Sequence, residues 1–306
     1  MKYTYFELDS LVKDLGVKAG TLYALSNNID AHYRQVSIPK SDGGYRKLSC
    51  PDYILKKVQR KISEVILSGM PVSEYACAYV YGGSPKKNAR KHLKKETILK
   101  LDIRKYFDHV TYPLIREKVF TPDIFSESNR ILLSLLCSYD EVLPQGAPTS
   151  PAISNILLYD FDNRIGEWCR QKNITYTRYC DDLTFSSNGM NKDEVIGKVA
   201  DELKAYGLFI NRKKTKFIQK GRRKKITGII VNDRLSAPVE YRRKIRQEMY
   251  YIRRYGIDDH LKKIIWTDSK EKYLRSMLGR IDYVLSIDRN SGPFQQYRNE
   301  VKEYLR

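Results

Sequence analysis

The chain has 306 residues, is 42% hydrophobic, and carries 56 Lys and Arg against 36 Asp and Glu, a formal charge of +20. That length supports a sizeable core shared by two or three subdomains, and that apolar content excludes a disordered chain. A cationic excess of this size points to a polyanionic partner. Five cysteines without CxxC spacing argue against a disulfide framework or a zinc site. The first residues, MKYTYFELDSLVKDLG, are not expected to act as a signal peptide, and no uncharged stretch approaches the ~20 residues of a membrane span. A cytoplasmic location without membrane contact is the expectation.

Leu8, Leu11, Val12 and Leu15 recur at helical spacing, so residues 1–30 are expected to form two short helices. YRQVSIPK and YRKLSCP, on either side of Asp42-Gly43-Gly44, predict a β-hairpin. Residues 51–68 read as an amphipathic helix ended by Gly69, and residues 84–95 as a basic segment. A strand over 97–103 carries Asp102, and helical patterns follow at 113–120 and 126–138. The loop LPQGAPTSP then opens a long helix through residue 171. TYTRYCDDLTFSS reads as strand, tight turn and strand, with Asp181 and Asp182 at the tip. A helix is expected over 193–206, a basic two-stranded hairpin over TKFIQKGRRKKITGIIV, and four helical patterns from Pro238 onward. This order fits an α+β fold, a small antiparallel sheet packed on helices, without repeats or low-complexity linkers.

Two adjacent carboxylates at a turn repel one another unless a cation binds there. Asp102 supplies a third carboxylate, on the strand face opposite Leu99, Leu101 and Ile103. Three carboxylates suit two magnesium ions about 3.5–4 Å apart, one activating an attacking hydroxyl and the other holding a triphosphate. The combination suggests nucleotidyl transfer.

With these residues in view, the chain resembles reverse transcriptases. LDIRKYF is similar to their first palm motif, LPQGAPTSP to the second, YCDD to the third and GLFINRKKTKF to the fourth, and ITGIIV to the strand leading toward the primer grip. The motifs occur in the expected order over roughly residues 40–231. Asn88-Ala89-Arg90-Lys91-His92 matches the NAxxH pattern of bacterial retron enzymes, and Ile226-Thr227-Gly228 stands where a VTG triplet is expected, with Ile for Val as a mild departure. The resemblance implies a right-hand polymerase: a helical segment over 1–30, interleaved fingers and palm over 31–235, and a helical RNA-binding thumb over 236–306. It implies metal binding by Asp102, Asp181 and Asp182, helped by the Ile103 carbonyl. Phe107 falls at the position that would exclude a ribose 2′-OH. Gln145 and Gly146 would line the incoming nucleotide, Arg46 would pack on it, and Lys40 would assist. Lys214, ahead of Lys213, would protonate leaving pyrophosphate.

The tyrosine-rich cationic stretch YRRKIRQEMYYIRRYG has few acids near Arg242, Arg243, Lys244 and Arg246. That mixture suits phosphate contacts and base stacking. Asn88 and His92 are further candidates for RNA contact, although a structural role is the commoner one for a histidine such as His92. By resemblance, the partner is a structured noncoding RNA, copied from a 2′-OH primer into a branched RNA–DNA product. Deoxynucleotides are the substrates, and antiphage defence with a separate effector protein is the implied setting. The competing readings are a reverse transcriptase of another lineage and an RNA-binding scaffold that does not polymerise.

Overall fold

The computed structural model describes residues 4–39 and 43–306. Lys40 and the turn residue Asp42 lie outside the described residues. Either side of that turn, β1 (Tyr33–Pro39) pairs antiparallel with β2 (Tyr45–Pro51), in a register that sets Tyr33 opposite Pro51 and Ile38 opposite Arg46. A four-stranded sheet in the order β4-β5-β3-β6 is built from β3 (Thr97–Asp102), β4 (Thr175–Tyr179), β5 (Asp182–Ser187) and β6 (Lys216–Ile218). A separate antiparallel pair joins β7 (Lys225–Ile226) to β8 (Ile229–Ile230). The mixture of helices and antiparallel pairs is the α+β class that the sequence predicts.

The chain divides into two compact units, Met1–Gly83 with Leu99–Phe217, and Ser84–Ile98 with Ile218–Arg306. The first unit's core is packed by Leu55, Ile62, Leu101, Phe120, Leu133, Phe161 and Phe185, among others. Its two N-terminal helices are Leu8–Leu15 and Ala19–Asn27, as the apolar spacing predicts. The first stops at Gly16, whose left-handed φ of 62° lets its N–H cap the carbonyls of Val12 and Lys13. Asp52 starts the next helix, Tyr53–Lys61, by accepting from the Leu55 N–H at 2.9 Å. The amphipathic run expected to continue as α-helix to residue 68 instead widens to a π-turn at Ile62–Ile66 and ends in a 3-10 turn at Leu67–Gly69.

Two further expectations differ in detail. The long helix leading to residue 171 is two helices, Ser150–Leu157 and Tyr159–Gln171, separated at Leu158. The stretch 215–231 is not one hairpin. β6 joins the four-stranded sheet beside β3, and the chain reverses later, at Thr227-Gly228, where φ values of 43° and 85° make the type I′ turn that joins β7 to β8.

The second unit's core contains Ala89, Ile98, Ile226, Ile229, Ile245, Met249, Met277, Ile281 and Phe294. The four expected C-terminal helices are Val239–Tyr255, Ile257–Lys263, Lys270–Ile287 and Gly292–Tyr304. A helix over Pro85–Lys91 belongs to the same unit, opened by Ser84, which caps the Lys87 N–H, and by Pro at its start. The Thr227 hydroxyl donates to the Pro85 carbonyl at 2.9 Å, so the NAxxH and ITG segments meet in space. Among the described residues, no helix is long and apolar enough to cross a membrane.

Candidate active site

The site is built on the ends of β3, β4 and β5. Alternation along β3 buries Leu99 and Leu101 in the core, and Asp102 ends the strand at 6% exposure. Tyr179 pairs with Asp182 to close a two-residue turn whose central residues are Cys180 and Asp181. The tip is therefore Cys180-Asp181, one position earlier than the pattern suggests, with Asp182 as the first residue of β5. Cys180 takes φ of +60° while Asp181 does not, the signature of a type II′ turn. A side chain in that region costs about 1–3 kcal/mol and persists only when its surroundings hold it.

The holding contacts are present. The Ile103 N–H donates to the Asp181 carbonyl at 3.0 Å. From below, Arg178 Nη1 donates to the Cys180 carbonyl at 3.1 Å and to Asn155 Oδ1 at 3.1 Å. Arg178 is fully buried, and its Nε and Nη2 reach the Asp162 carboxylate at 2.9 and 2.6 Å. Tyr176 donates to the same carboxylate at 2.7 Å, and the Asn155 amide donates to the Ala78 carbonyl at 2.8 Å. Burial opposes the charge on Arg178, but the Asp162 carboxylate outweighs it and holds the guanidinium protonated. This clamp escapes motif reading. Its signals are a charged residue inside the strand TYTRY and an aspartate on the buried stripe Leu158, Phe161, Ile165, Cys169 of its helix.

Asp102, Asp181 and Asp182 line a cavity of about 300 Å³ with Arg46, Lys100, Lys214 and Lys216. Burial raises the pKa of Asp181, and the neighbouring Asp102 charge adds to the rise. Burial also raises the pKa of Asp182; Lys100 opposes this, while Asp181 and Asp102 reinforce it. Lys214 Nζ sits 2.8 Å from Asp102 Oδ2, and this hydrogen bond raises the lysine pKa. Asn211, unnoticed in the sequence, donates to Asp102 Oδ1 at 3.1 Å and, through its backbone N–H, to the Asp102 carbonyl at 2.7 Å. Burial pushes the Cys180 thiol up to about 11, which leaves it neutral in the turn.

The donor set fits a divalent cation in kind, since hard carboxylate oxygens suit magnesium. Among the described residues, no three His, Cys, Asp or Glu side chains converge as a ready-made ligand cluster. The oxygens of Asp102 are instead taken by an ammonium and an amide. Lys214 thus occupies the place of positive charge beside Asp102.

The remaining sequence candidates divide. Arg46 is exposed on β2 and lines the cavity. Gln145 and Gly146 are pinned to β2 rather than lining it. The Ser49 N–H donates to the Gln145 carbonyl at 2.8 Å, and a Cβ on Gly146, whose φ is 130°, would stand 2.8 Å from the Ser49 carbonyl oxygen. The close approach that requires glycine is thus to the strand carrying Arg46. Phe107 is half-buried against the first unit's core, 5.6 Å from the Tyr106 ring. Lys213 is exposed.

In the second unit, Asn88 and His92 are both fully buried, where direct contact with RNA is closed to them. Burial, helped by Lys91 and Lys95, pushes His92 down to about 3. Arg243, Lys244 and Arg246 are exposed, with the Arg246 guanidinium 5.5 Å from the Phe294 ring centre. Arg242 is half-buried and donates to the Ala237 carbonyl at 3.1 Å.

A family model described as "Reverse transcriptase (RNA-dependent DNA polymerase)" matches residues 38–231. The retron Ec83 reverse transcriptase of Escherichia coli is 34% identical over 70% of this chain and 73% of its own. The retron Mx65 reverse transcriptase of Myxococcus xanthus is 33% identical over 77% of this chain, which spans 60% of that enzyme. The retron Ec86 reverse transcriptase of Escherichia coli is 28% identical over 93% of this chain and 85% of its own. Among solved structures, a telomerase from Candida albicans in complex with a fragment of telomeric RNA aligns with a TM-score of 0.48 at 12% identity, covering 89% of this chain and 63% of that one, too loosely to argue from. The chain belongs to the reverse transcriptase family, in its retron branch, and has that family's right-hand fold with an antiparallel-sheet palm.

Proposed function

We propose that this chain is an RNA-directed DNA polymerase that copies part of a structured noncoding RNA. The observation that carries the reading is the meeting of Asp102, Asp181 and Asp182 with Arg46, Lys100, Lys214 and Lys216 in one cavity. Three carboxylates hold metal and four cations attract a triphosphate. Asp102, Asp181 and Asp182, with the Ile103 carbonyl, would hold two magnesium ions, which when bound supply the charge that activates a hydroxyl and neutralises phosphate. Arg46, with Lys40, contacts the incoming deoxynucleotide. Lys214, released from Asp102, holds a proton within reach of leaving pyrophosphate. Phe107 excludes the ribose 2′-OH, and Gln145 and Gly146 fix the loop beside β2. Arg242, Arg243, Lys244 and Arg246 bind RNA phosphates on the C-terminal thumb, residues 236–306, while Asn88 and His92 support that region from inside.

By its resemblance to the retron branch, we infer a branched product primed from a 2′-OH, and a place in antiphage defence beside a separate effector. The test is extension of oligo(dT) on poly(rA) with dTTP and magnesium, followed by the same assay on the Asp181→Asn/Asp182→Asn double variant. Extension by the wild type and none by the variant, with RNA binding kept, is expected. Undiminished synthesis by the variant overturns the metal assignment.

A further inference from the structure

The second unit has a cavity of about 600 Å³ of which the polymerase reading uses only Lys244, at the rim. Its walls come from the facing stripes of helices Val239–Tyr255 and Lys270–Ile287, closed by the segment from His260 to Trp266. The floor is a connected polar chain. Arg280 Nη1 donates to Glu248 Oε1 at 2.9 Å, Tyr273 donates its hydroxyl proton to Glu248 Oε2 at 2.8 Å, and His260 Nε2 lies 2.8 Å from the Tyr273 oxygen. With the Tyr273 proton committed to a carboxylate, the Tyr273 oxygen can only accept, so Nε2 carries the imidazole proton. Nδ1 is left as a bare acceptor, buried and without a partner. Burial lowers the His260 pKa, which keeps the ring neutral.

Above this floor the surfaces are aromatic and cationic. Tyr251 and Trp266 are half-buried in the cavity wall, and the Trp266 ring is fixed by its Nε1–H donating to the Ser269 carbonyl at 3.1 Å. Lys263 stands 4.1 Å from the Tyr251 ring centre, and Lys244 is exposed at the rim. Neither lysine enters an ion pair among the described residues, whereas the cavity's carboxylate, Glu248, is already claimed by Arg280. Flat rings and lysines outside any ion pair are the complement of a base and a phosphate.

We propose that this cavity takes one unpaired nucleotide, its base laid against Tyr251 and Trp266 and its phosphate held by Lys244 and Lys263. The inference rests on the reading of the chain as an RNA-binding polymerase only for the source of that nucleotide, a base extruded from structured RNA. The same chemistry would admit a free nucleotide.

The chain has two tryptophans, so a Trp168→Phe background makes emission report on Trp266 alone. The probes are an RNA hairpin with one bulged adenosine, the same hairpin with a bulged uridine, the fully paired hairpin, and AMP. Expected is quenching by the bulged-adenosine hairpin at about tenfold lower concentration than by the paired one. Bulged uridine should fall between them, and Lys263→Gln and Tyr251→Ala should each weaken the effect several-fold. Quenching by AMP at comparable concentration identifies a free nucleotide as the source. Equal response to paired and bulged hairpins with none to AMP, or a response unchanged in Tyr251→Ala and Lys263→Gln, overturns the proposal. The oligo(dT)–poly(rA) assay on the same preparation separates the two readings. Extension without bulge preference rejects the pocket alone, and bulge-dependent quenching without extension rejects the polymerase alone.

Discussion

In the first unit, three carboxylates share a small cavity with four cations, and the Asp102 charge is answered by an ammonium that a ligand must move. In the second unit, the cavity's carboxylate is answered internally by Arg280 and Tyr273, leaving the rim lysines outside any ion pair among the described residues. The first arrangement stores unsatisfied charge and so responds to a multivalent ion or a phosphate. The second has satisfied its carboxylate and selects by stacking and by its rim lysines. The two sites should therefore fail differently when charges are removed.

The largest effect is expected at the carboxylates. Asp182→Asn should lower polymerisation about a thousandfold or more, because metal stabilisation of the transition state is worth several kcal/mol. Folding should survive, with a small rise in Tm without magnesium at pH 7. The sign follows from the raised Asp182 pKa. The folded state binds the proton more tightly than the unfolded chain, so the ionised form is a cost at neutral pH. That cost disappears once pH falls below the unfolded value near 3.9, where both states are protonated. The Tm advantage of Asp182→Asn should shrink over the same fall in pH. A lower Tm at pH 7 would show that Asp182 is a structural anchor.

Next in size is the clamp beneath the turn. Arg178→Met leaves Asp162 buried without its partner and should cost about 3–5 kcal/mol in urea unfolding. Arg178→Met with Asp162→Leu should recover much of that stability but not polymerisation, because the Cys180 carbonyl loses its donor. Recovery of both would show that the turn holds itself.

The corresponding cut in the second unit should be milder. Glu248→Gln removes the counter-charge of a partly exposed Arg280 and should cost about 2 kcal/mol. Burial raises the Glu248 pKa, but the bonds from Arg280 and Tyr273 more than reverse this and leave it lowered. The wild type should thus lose stability as pH falls through the lowered value, and the variant should lose less. Equal acid sensitivity would mean that Glu248 contributes no linkage.

The contrast also explains what was legible. Period-2 and period-3.6 patterns located the strands around Asp102 and Asp182 and the four C-terminal helices, because those elements expose one face and bury the other. Turn chemistry was read less well. The Cys180-Asp181 tip and the Thr227-Gly228 reversal both use a non-glycine residue at positive φ, a conformation that tertiary contacts hold and composition does not announce. Asn211 and Arg178 were invisible as functional residues because each acts through a partner distant in sequence, Asp102 and Asp162. The burial of Asn88 and His92 has the same origin, since the β7–β8 strands that pack on their helix come from far along the chain.

The smallest expected effect tests that last junction. Thr227 occupies the first central position of a type I′ turn at φ of 43°, where asparagine is the preferred residue and a β-branched side chain is strained. Thr227→Asn should relieve part of that strain, roughly 1 kcal/mol. It also removes the hydroxyl that donates to the Pro85 carbonyl at 2.9 Å, worth about 1 kcal/mol. The two terms oppose each other, so the net change in urea unfolding should stay within about 0.5 kcal/mol. A gain near 1 kcal/mol would make the Pro85 contact incidental. A loss above 2 kcal/mol would make it the bond that holds the NAxxH helix to the hairpin, with the turn strain maintained for its sake.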